Sequence, residues 1–266
     1  MNWSAIITTY NSGKVIRDAL DSLLALDPVE HPVDIIVVDN NSNDDTAAVL
    51  ADYEDRINII LNESNLGLSR ANNIGASFAR GDSLFFLNPD VRVAPGAVSV
   101  LCEFQKDHPD AALLGPSMVD ENGSLQSTAR TWPTPVTVAS RRTLFGRTST
   151  GRRIAEHHMY RFSGKQALKS HWLVGAALWL TPSGKRTVGL MSERYFLYFE
   201  DVEWCLRAWK NGMEVWFVPE AVIEHVCRRE SASPGRAMKH HLLSMLKFFL
   251  GHPAVAFGMG TEVSSV

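Results

Sequence analysis

Residues 33–39 read VDIIVVD, a run that is apolar almost throughout. A strand of this kind has no face to offer water. It belongs in a sheet covered on both sides, and helices packed against a mainly parallel sheet supply that cover. The neighbouring segments keep to the same plan. AIITT (5–9), INIIL (57–61) and SLFFL (83–87) read as further strands. Between them, VIRDALDSLLAL (15–26) carries Ile16, Ala19, Leu20, Leu23 and Leu24 at helical spacing. NNSNDDT supplies Ser42 as an N-cap with Asp45 three residues on, LSRANNIGASFARG (68–81) reads as a helix closed by Gly81, and Pro95 suits the first turn of another helix. The alternation predicts an α/β fold with a mainly parallel central sheet.

Beyond Ala112 the character changes. MVDENGSLQS (118–127) carries Asn122-Gly123 between short runs, the signal for a tight hairpin. Residues 128–170, rich in Thr, Arg and Pro, predict an irregular, mobile loop. HWLVGAALWL (171–180) returns to strand character, and EDVEWCLRAWKNG (200–212) places Val202, Cys205, Leu206 and Trp209 on one helical stripe ended by Gly212. AMKHHLLSMLKFFL (237–250), with Lys239 and Lys247, predicts an amphipathic helix packed on the domain.

Composition narrows the partners. A net charge of −3 provides no broad basic surface, so no nucleic acid is expected, although Arg141, Arg142, Arg147, Arg152 and Arg153 form a local cationic cluster suited to phosphate or a membrane surface. Three cysteines without C-x-x-C spacing suggest neither a disulfide framework nor a zinc site, and point to a reducing, cytoplasmic setting. The start MNWSAIITTYN lacks the pattern of a signal peptide, and no apolar run approaches the ~18 residues of a membrane span. A soluble or peripheral protein is expected.

In open α/β sheets, ligands bind beyond the carboxyl ends of the strands. Three polar clusters sit at such ends: Thr8 to Asn11, Asp39 to Ser42, and Asn88 to Asp90. A carboxylate on a proline-restricted turn, as in Asn88-Pro89-Asp90, suits a divalent cation that takes oxygen ligands and completes its shell with phosphates. The same tripeptide also reads as a turn that merely stops a strand. G-x-G-x-x-G is missing after the first strand, and NSGK lacks the earlier glycine of a P-loop, so a phosphate-bearing ligand would be held mainly through a metal.

IITTYN, IIVVDNNSNDDT, NLGLSRANNIGASFARGDSLFFLNPDV and YFLYFEDVEWCLRAWKNGMEVWFVPEAVIEHV, in their order and spacing, resemble the inverting family 2 glycosyltransferases of the GT-A fold, from residue 3 to about 250. NPDV, the DENGSLQSTAR-type hairpin and the segment from Trp172 to Gly175 resemble the bacterial rhamnosyltransferase-like branch. The resemblance implies one GT-A domain over residues 1–266, with a nucleotide-sugar half (1–116), an acceptor and catalytic half (117–233) and a C-terminal helix (234–251).

It also implies roles. Thr8, Tyr10, Asp39 and Asn41 match positions around the donor nucleotide. Asn65, Gly67, Arg70 and Asn73 match the donor side of the cleft. Asn88-x-Asp90 corresponds to the D-x-D motif with its first carboxylate replaced, which leaves Asp90 as the ligand of Mg²⁺ or Mn²⁺ and Asn88 as its hydrogen-bonding neighbour. His225, 24 residues beyond Asp201, matches a second ligand. Asp201 matches the base that takes the acceptor's proton, with Glu200 and Glu203 as alternatives on a different helix face from Asp201. Trp172, Gly175 and Glu200 fall on the acceptor side. The histidine pairs His157–His158 and His240–His241 read as solvated surface.

The implied activity is transfer of a sugar, L-rhamnose from dTDP-L-rhamnose, to a saccharide that is free or lipid-linked, in cell-wall or surface-polysaccharide assembly at the inner face of the membrane. Another UDP- or GDP-sugar donor, a nucleotidyltransferase and a noncatalytic nucleotide-sugar-binding subunit are the rivals, and the family leaves room for a homodimer.

Overall fold

The computed structural model describes the backbone of residues 2–142, 148–158, 166–226 and 235–256. The first half runs β1 (Trp3–Thr9), α1 (Ile16–Leu24), β2 (Asp34–Asp39), α2 (Thr46–Ala51), β3 (Asn58–Leu61), α3 (Leu68–Phe78), β4 (Ser83–Leu87), β5 (Val91–Val93) and α4 (Ala97–Asp107). The second runs β6 (Ala111–Val119), β7 (Leu125–Gln126), β8 (Ala129–Arg130), α5 (Pro135–Arg142), α6 (Ser149–His158), β9 (Leu168–Lys169), β10 (Trp172–Leu173) and β11 (Ala177–Leu180). It closes with α7 (Pro182–Thr187), α8 (Glu200–Lys210), β12 (Glu214–His225), α9 (Arg236–Gly251) and α10 (Pro253–Ala256).

The main sheet has the order β3-β2-β1-β4-β11-β6-β12-β5. Its β3-β2-β1-β4 block is parallel, while β11 runs antiparallel to both β4 and β6, and β12 lies parallel to β6. The short strands β8 and β10 form a separate antiparallel pair. Every residue of β1 and β2 is buried, as the apolar run at 33–39 requires.

Alternation along the strands sends side chains into two cores, one on each face. Trp3, Ala5 and Ile7 meet Ile16, Leu20 and Leu23 of α1 and Leu101 of α4, with Trp3, Phe85 and Trp179 in mutual edge or tilted contact. On the other face, Ile6, Ile36 and Val38 meet Ala71 of α3, and the expected stripe of α8 is buried at Val202, Cys205 and Leu206.

Several local expectations are corrected. Ser42 does not cap α2, which starts at Thr46; its hydroxyl instead donates to Asp39. α3 ends at Phe78, before Gly81, and its last turn passes to extended backbone at Ala79. Gly81 serves packing: a Cβ there would lie 2.4 Å from the Ser4 amide nitrogen. Pro95 precedes α4 and its N-cap Gly96 rather than entering the first turn. The hairpin at 118–127 is present, with Asp120 accepting from the amides of Asn122 and Ser124 and Gly123 at φ 75°.

The stretch expected to be irregular, 128–170, carries α5 and α6. Thr134 and Thr137 cap α5 reciprocally, the Thr137 amide donating to the Thr134 hydroxyl and the Thr134 amide to the Thr137 hydroxyl. Pro135 follows at the first helical position, where its missing N–H costs nothing. Of the cationic cluster, Arg152 and Arg153 are exposed; the side chains of Arg141, Arg142 and Arg147 lie outside the described residues, as do those of His157 and His158.

Candidate active site

The order of the sheet reverses between β1 and β4, since α1 carries the chain from β1 to β2 while α3 returns it from β3 to β4. Crevices form at such a point beyond the carboxyl ends of the strands. A cavity of about 740 Å³ opens there. It gathers Thr8, Tyr10, Asn65, Gly67, Asn88, Asp90, Gly175, Glu200, Asp201 and His225, the greater part of the residues expected to form a site.

Asp90 and His225 are 135 positions apart and become neighbours through strand pairing. The β6–β12 register slips between Val218 and Val222, so Pro219 to Ala221 lie outside the regular ladder and β12 re-aims. Past that slip, β12 pairs with β5, setting His225 beside Val91, and the Val226 amide donates to the Asp90 carbonyl. His225 Nε2 then lies 3.6 Å from Asp90 Oδ1.

Gln126, from the hairpin, determines what that nitrogen offers. Its Nε2 donates to the His225 carbonyl, so its Oε1 is the atom 2.8 Å from His225 Nδ1 and must accept a proton there. Nε2 is left with a lone pair facing Asp90. Burial lowers the ring's pKa and outweighs the opposing pull of Asp90, which favours this neutral form. A neutral imidazole nitrogen and a carboxylate oxygen converging on one point fit a hard or borderline divalent cation. Among the described residues no group of three or more His, Cys, Asp or Glu side chains is placed to hold one, so most of the shell would come from phosphate oxygens and water.

Asp201 sits in the first turn of α8. Its Oδ1 accepts from the Val202 amide at 2.8 Å and its Oδ2 from the Gly175 amide at 3.0 Å. The chain reaches this turn through Tyr198 and Phe199, both at φ 67°, a left-handed conformation costly for aromatic residues and found where a site fixes the backbone. Burial raises the carboxyl's pKa, opposed by the Val202 and Gly175 amides and by the charge of Arg130. Glu200 beside it is buried, has no hydrogen-bond partner for Oε2, and is pushed well above the ordinary carboxylate range by burial first and the charge of Asp201 second.

The expected separation of Asp201 from its glutamate neighbours by helix face does not hold. Glu200 and Asp201, both in the first turn of α8, line the same cavity. Glu203 instead pairs with Arg207, which is itself held by the carbonyls of Val188 and Leu190.

A second cavity, about 200 Å³, is walled by Arg130, Trp172, Phe199 and His241 among others. Asp201, Val174 and Tyr198 line both cavities, so the carboxylate stands where they meet. Trp172 belongs to the smaller one. His241 lines it too, against Tyr198 and Phe199, while His240 stacks on Phe196 at 4.4 Å; this pair is therefore not simply solvated surface.

Four expected residues lie outside the lining. Asp39 accepts from the Ser42 amide and hydroxyl. Asn41 stands at φ 66° just past β2, Arg70 is exposed on α3, and Asn73 donates to the Met191 carbonyl and to Glu193. Thr8 lines the cavity while donating to Asn72.

Sequence reasoning passed over several residues. Asn40 braces the rim through Leu66, Gly67 and Asn65, a role that the polar run after β2 signals only in part. Lys14 and Asp44 line the larger cavity, where Asp44 is raised by burial but lowered on balance by its bonds from Thr46 and Gly13. Gln126 lies within the DENGSLQSTAR hairpin, but the sequence assigns it no role.

Comparison with known proteins identifies the fold. Crystal structures of GalNAc-T7 with UDP, GalNAc and Mn²⁺ and of S. aureus TarS 1-349 in complex with UDP-GlcNAc superpose with TM-scores of 0.67 and 0.62 at 18% and 17% identity. They cover 96% and 97% of this chain, and 51% and 71% of their own chains. The fold is that of GT-A glycosyltransferases.

Among sequences, an N-acetylglucosaminyl-diphospho-decaprenol L-rhamnosyltransferase of Mycobacterium tuberculosis is 27% identical over 250 residues, covering 89% of this chain and 79% of its own. The dTDP-rhamnosyl transferase RfbF of Shigella flexneri is 25% identical over 227 residues, 84% and 69% of the two chains. The glycosyl transferase family 2 model matches residues 4–170, more than half of the sequence, and the chain belongs to that family.

Proposed function

We propose that this transferase moves L-rhamnose from dTDP-L-rhamnose, with inversion, to a hydroxyl of a diphosphate-linked lipid saccharide, assisted by Mg²⁺ or Mn²⁺. The observation that carries the reading is the position of Asp201, fixed by two backbone amides where the larger cavity meets the smaller one. The larger cavity, with Asp90 and His225, suits a nucleotide diphosphate sugar. The smaller, with Trp172 and Tyr198, suits an acceptor ring, since aromatic faces pack well against the apolar face of a sugar.

In the reaction, the acceptor oxygen attacks the anomeric carbon from the side opposite the diphosphate. As the new C–O bond forms, Asp201 takes the hydroxyl proton, the sugar–phosphate bond breaks and its electron pair leaves with the nucleoside diphosphate. Asp90 and His225 would hold the divalent cation, which when bound would neutralise charge on that leaving group. Gln126 selects the tautomer that leaves the lone pair of the neutral His225 ring on Nε2, and the amides of Val202 and Gly175 hold the base in line.

The names of the mycobacterial and Shigella relatives support rhamnose, and the mycobacterial name also supports a diphospho-lipid acceptor. The test is nucleoside-diphosphate release from a panel of dTDP-, UDP- and GDP-sugars, with and without Mg²⁺ or Mn²⁺. Metal-stimulated turnover of dTDP-L-rhamnose above the others is expected. Preference for a UDP-sugar would overturn the donor assignment, and metal-independent turnover would overturn the role of Asp90 and His225.

A further inference from the structure

α9 is a helix with two apolar faces. Its inner face buries Phe248 and Ser244, the latter donating to the Leu197 carbonyl. Its outer face carries Leu242, Leu243, Leu246 and Leu250, which are 51%, 46%, 54% and 74% exposed. Positions 242, 246 and 250 recur every fourth residue, so they form one continuous stripe. Single exposed leucines are ordinary; four on one helix face form a patch that marks an interaction surface.

Charge indicates what covers it. From Arg236 to Ala256 the sequence contains no Asp or Glu. Lys239 and Lys247 project from the same helix, and Arg194 and Lys210 lie exposed beside its C-terminal end, Arg194 near Gly251 and Lys210 against His252. A two-fold contact with a second copy through this face would bring two patches of the same positive sign together. An anionic lipid surface accepts both the leucines and the cations.

We infer that the outer face of α9 seats the protein on an anionic membrane, with Leu242, Leu246 and Leu250 entering the interface and Lys239 meeting headgroups. The inner face of this helix packs on the loop that lines the cleft: His240 stacks on Phe196, His241 meets Tyr198, and Lys247 donates to the Arg194 carbonyl. The membrane seat and the approach to Asp201 are thus two sides of one element, which brings the acceptor cavity to the lipid surface. The inference stands on the helix alone and does not depend on the sugar transferred.

The test is co-sedimentation of the full chain with phosphatidylcholine vesicles, with and without phosphatidylglycerol, in the absence of substrates. Binding to the anionic vesicles, weakened by salt, is expected. The Leu242→Ser/Leu246→Ser/Leu250→Ser variant should bind at least about tenfold more weakly, with its thermal midpoint and its donor hydrolysis in solution retained. Should that variant misfold, Leu250→Ser and Lys239→Glu, each alone, must reduce binding. Failure of the wild-type protein to bind anionic vesicles, or binding that none of these variants alters, would overturn the inference. So would a dimer in light scattering that the leucine substitutions dissociate, since it would assign the face to a second copy.

Discussion

His225 Nε2 faces Asp90 Oδ1 across 3.6 Å, and the side chain of Gln126 fixes the ring by bonding its other nitrogen. The amide of Gln126 is itself oriented by the His225 carbonyl, so the ring's tautomer follows from a backbone group.

Gln126→Leu should therefore weaken the proposed metal activation without touching Asp90 or His225, the two groups proposed to hold the cation. Loss of such an outer partner typically costs about 10–100-fold in metal affinity. The Mn²⁺ concentration giving half-maximal turnover measures it, and an unchanged value would show that Gln126 does not tune the site.

Gly67 stands at φ 85°, and a Cβ there would lie 2.5 Å from the Phe196 carbonyl oxygen, the same atom that accepts from the Leu68 amide. Gly67→Ala must adopt a left-handed backbone and also push the two cleft-lining segments apart. A loss of about 1–3 kcal/mol is expected, with a raised KM for the donor. Chemical denaturation and donor titration check the two effects separately.

Glu200 has a folded-state pKa raised by burial and then by the charge of Asp201. A group raised in this way contributes its stability in full below the unfolded carboxylate pKa, and loses it as pH rises through the folded value. Glu200→Gln cannot ionise and escapes that loss. Its melting temperature should gain on the wild type progressively as pH rises from the ordinary carboxylate range upward. Parallel melting curves across that range would mean that Glu200 is not held neutral.

The parts of this molecule legible in the sequence are those set by local pattern. VDIIVVD gave a doubly covered strand because continuous apolarity has few other homes, and the α8 stripe lay inside as its spacing required. Asp90, Asp201 and His225 are singled out by motif order alone, and the fold brings them to one cavity. Contacts between distant segments were not legible. Ser42 resembles an N-cap, yet the nearby Asp39 carboxylate takes its hydroxyl. Gly81 resembles a helix stop, yet its constraint is the backbone of β1. α5 was hidden because Thr134 and Thr137 form a cap without the expected acidic partner, in a stretch whose Pro and Thr content reads as loop. Gln126 acts across 99 positions of sequence, and although it lies in a recognisable hairpin motif, no local signal ties it to His225.

The most direct test of Asp201 as the base is the rate of sugar transfer by Asp201→Asn beside the wild type, with donor affinity measured for both by calorimetry. The amide keeps the shape and loses the basicity, so turnover should fall by about 10²–10⁴-fold while donor binding persists. Transfer at the wild-type rate would contradict the account and move the base elsewhere in the cleft.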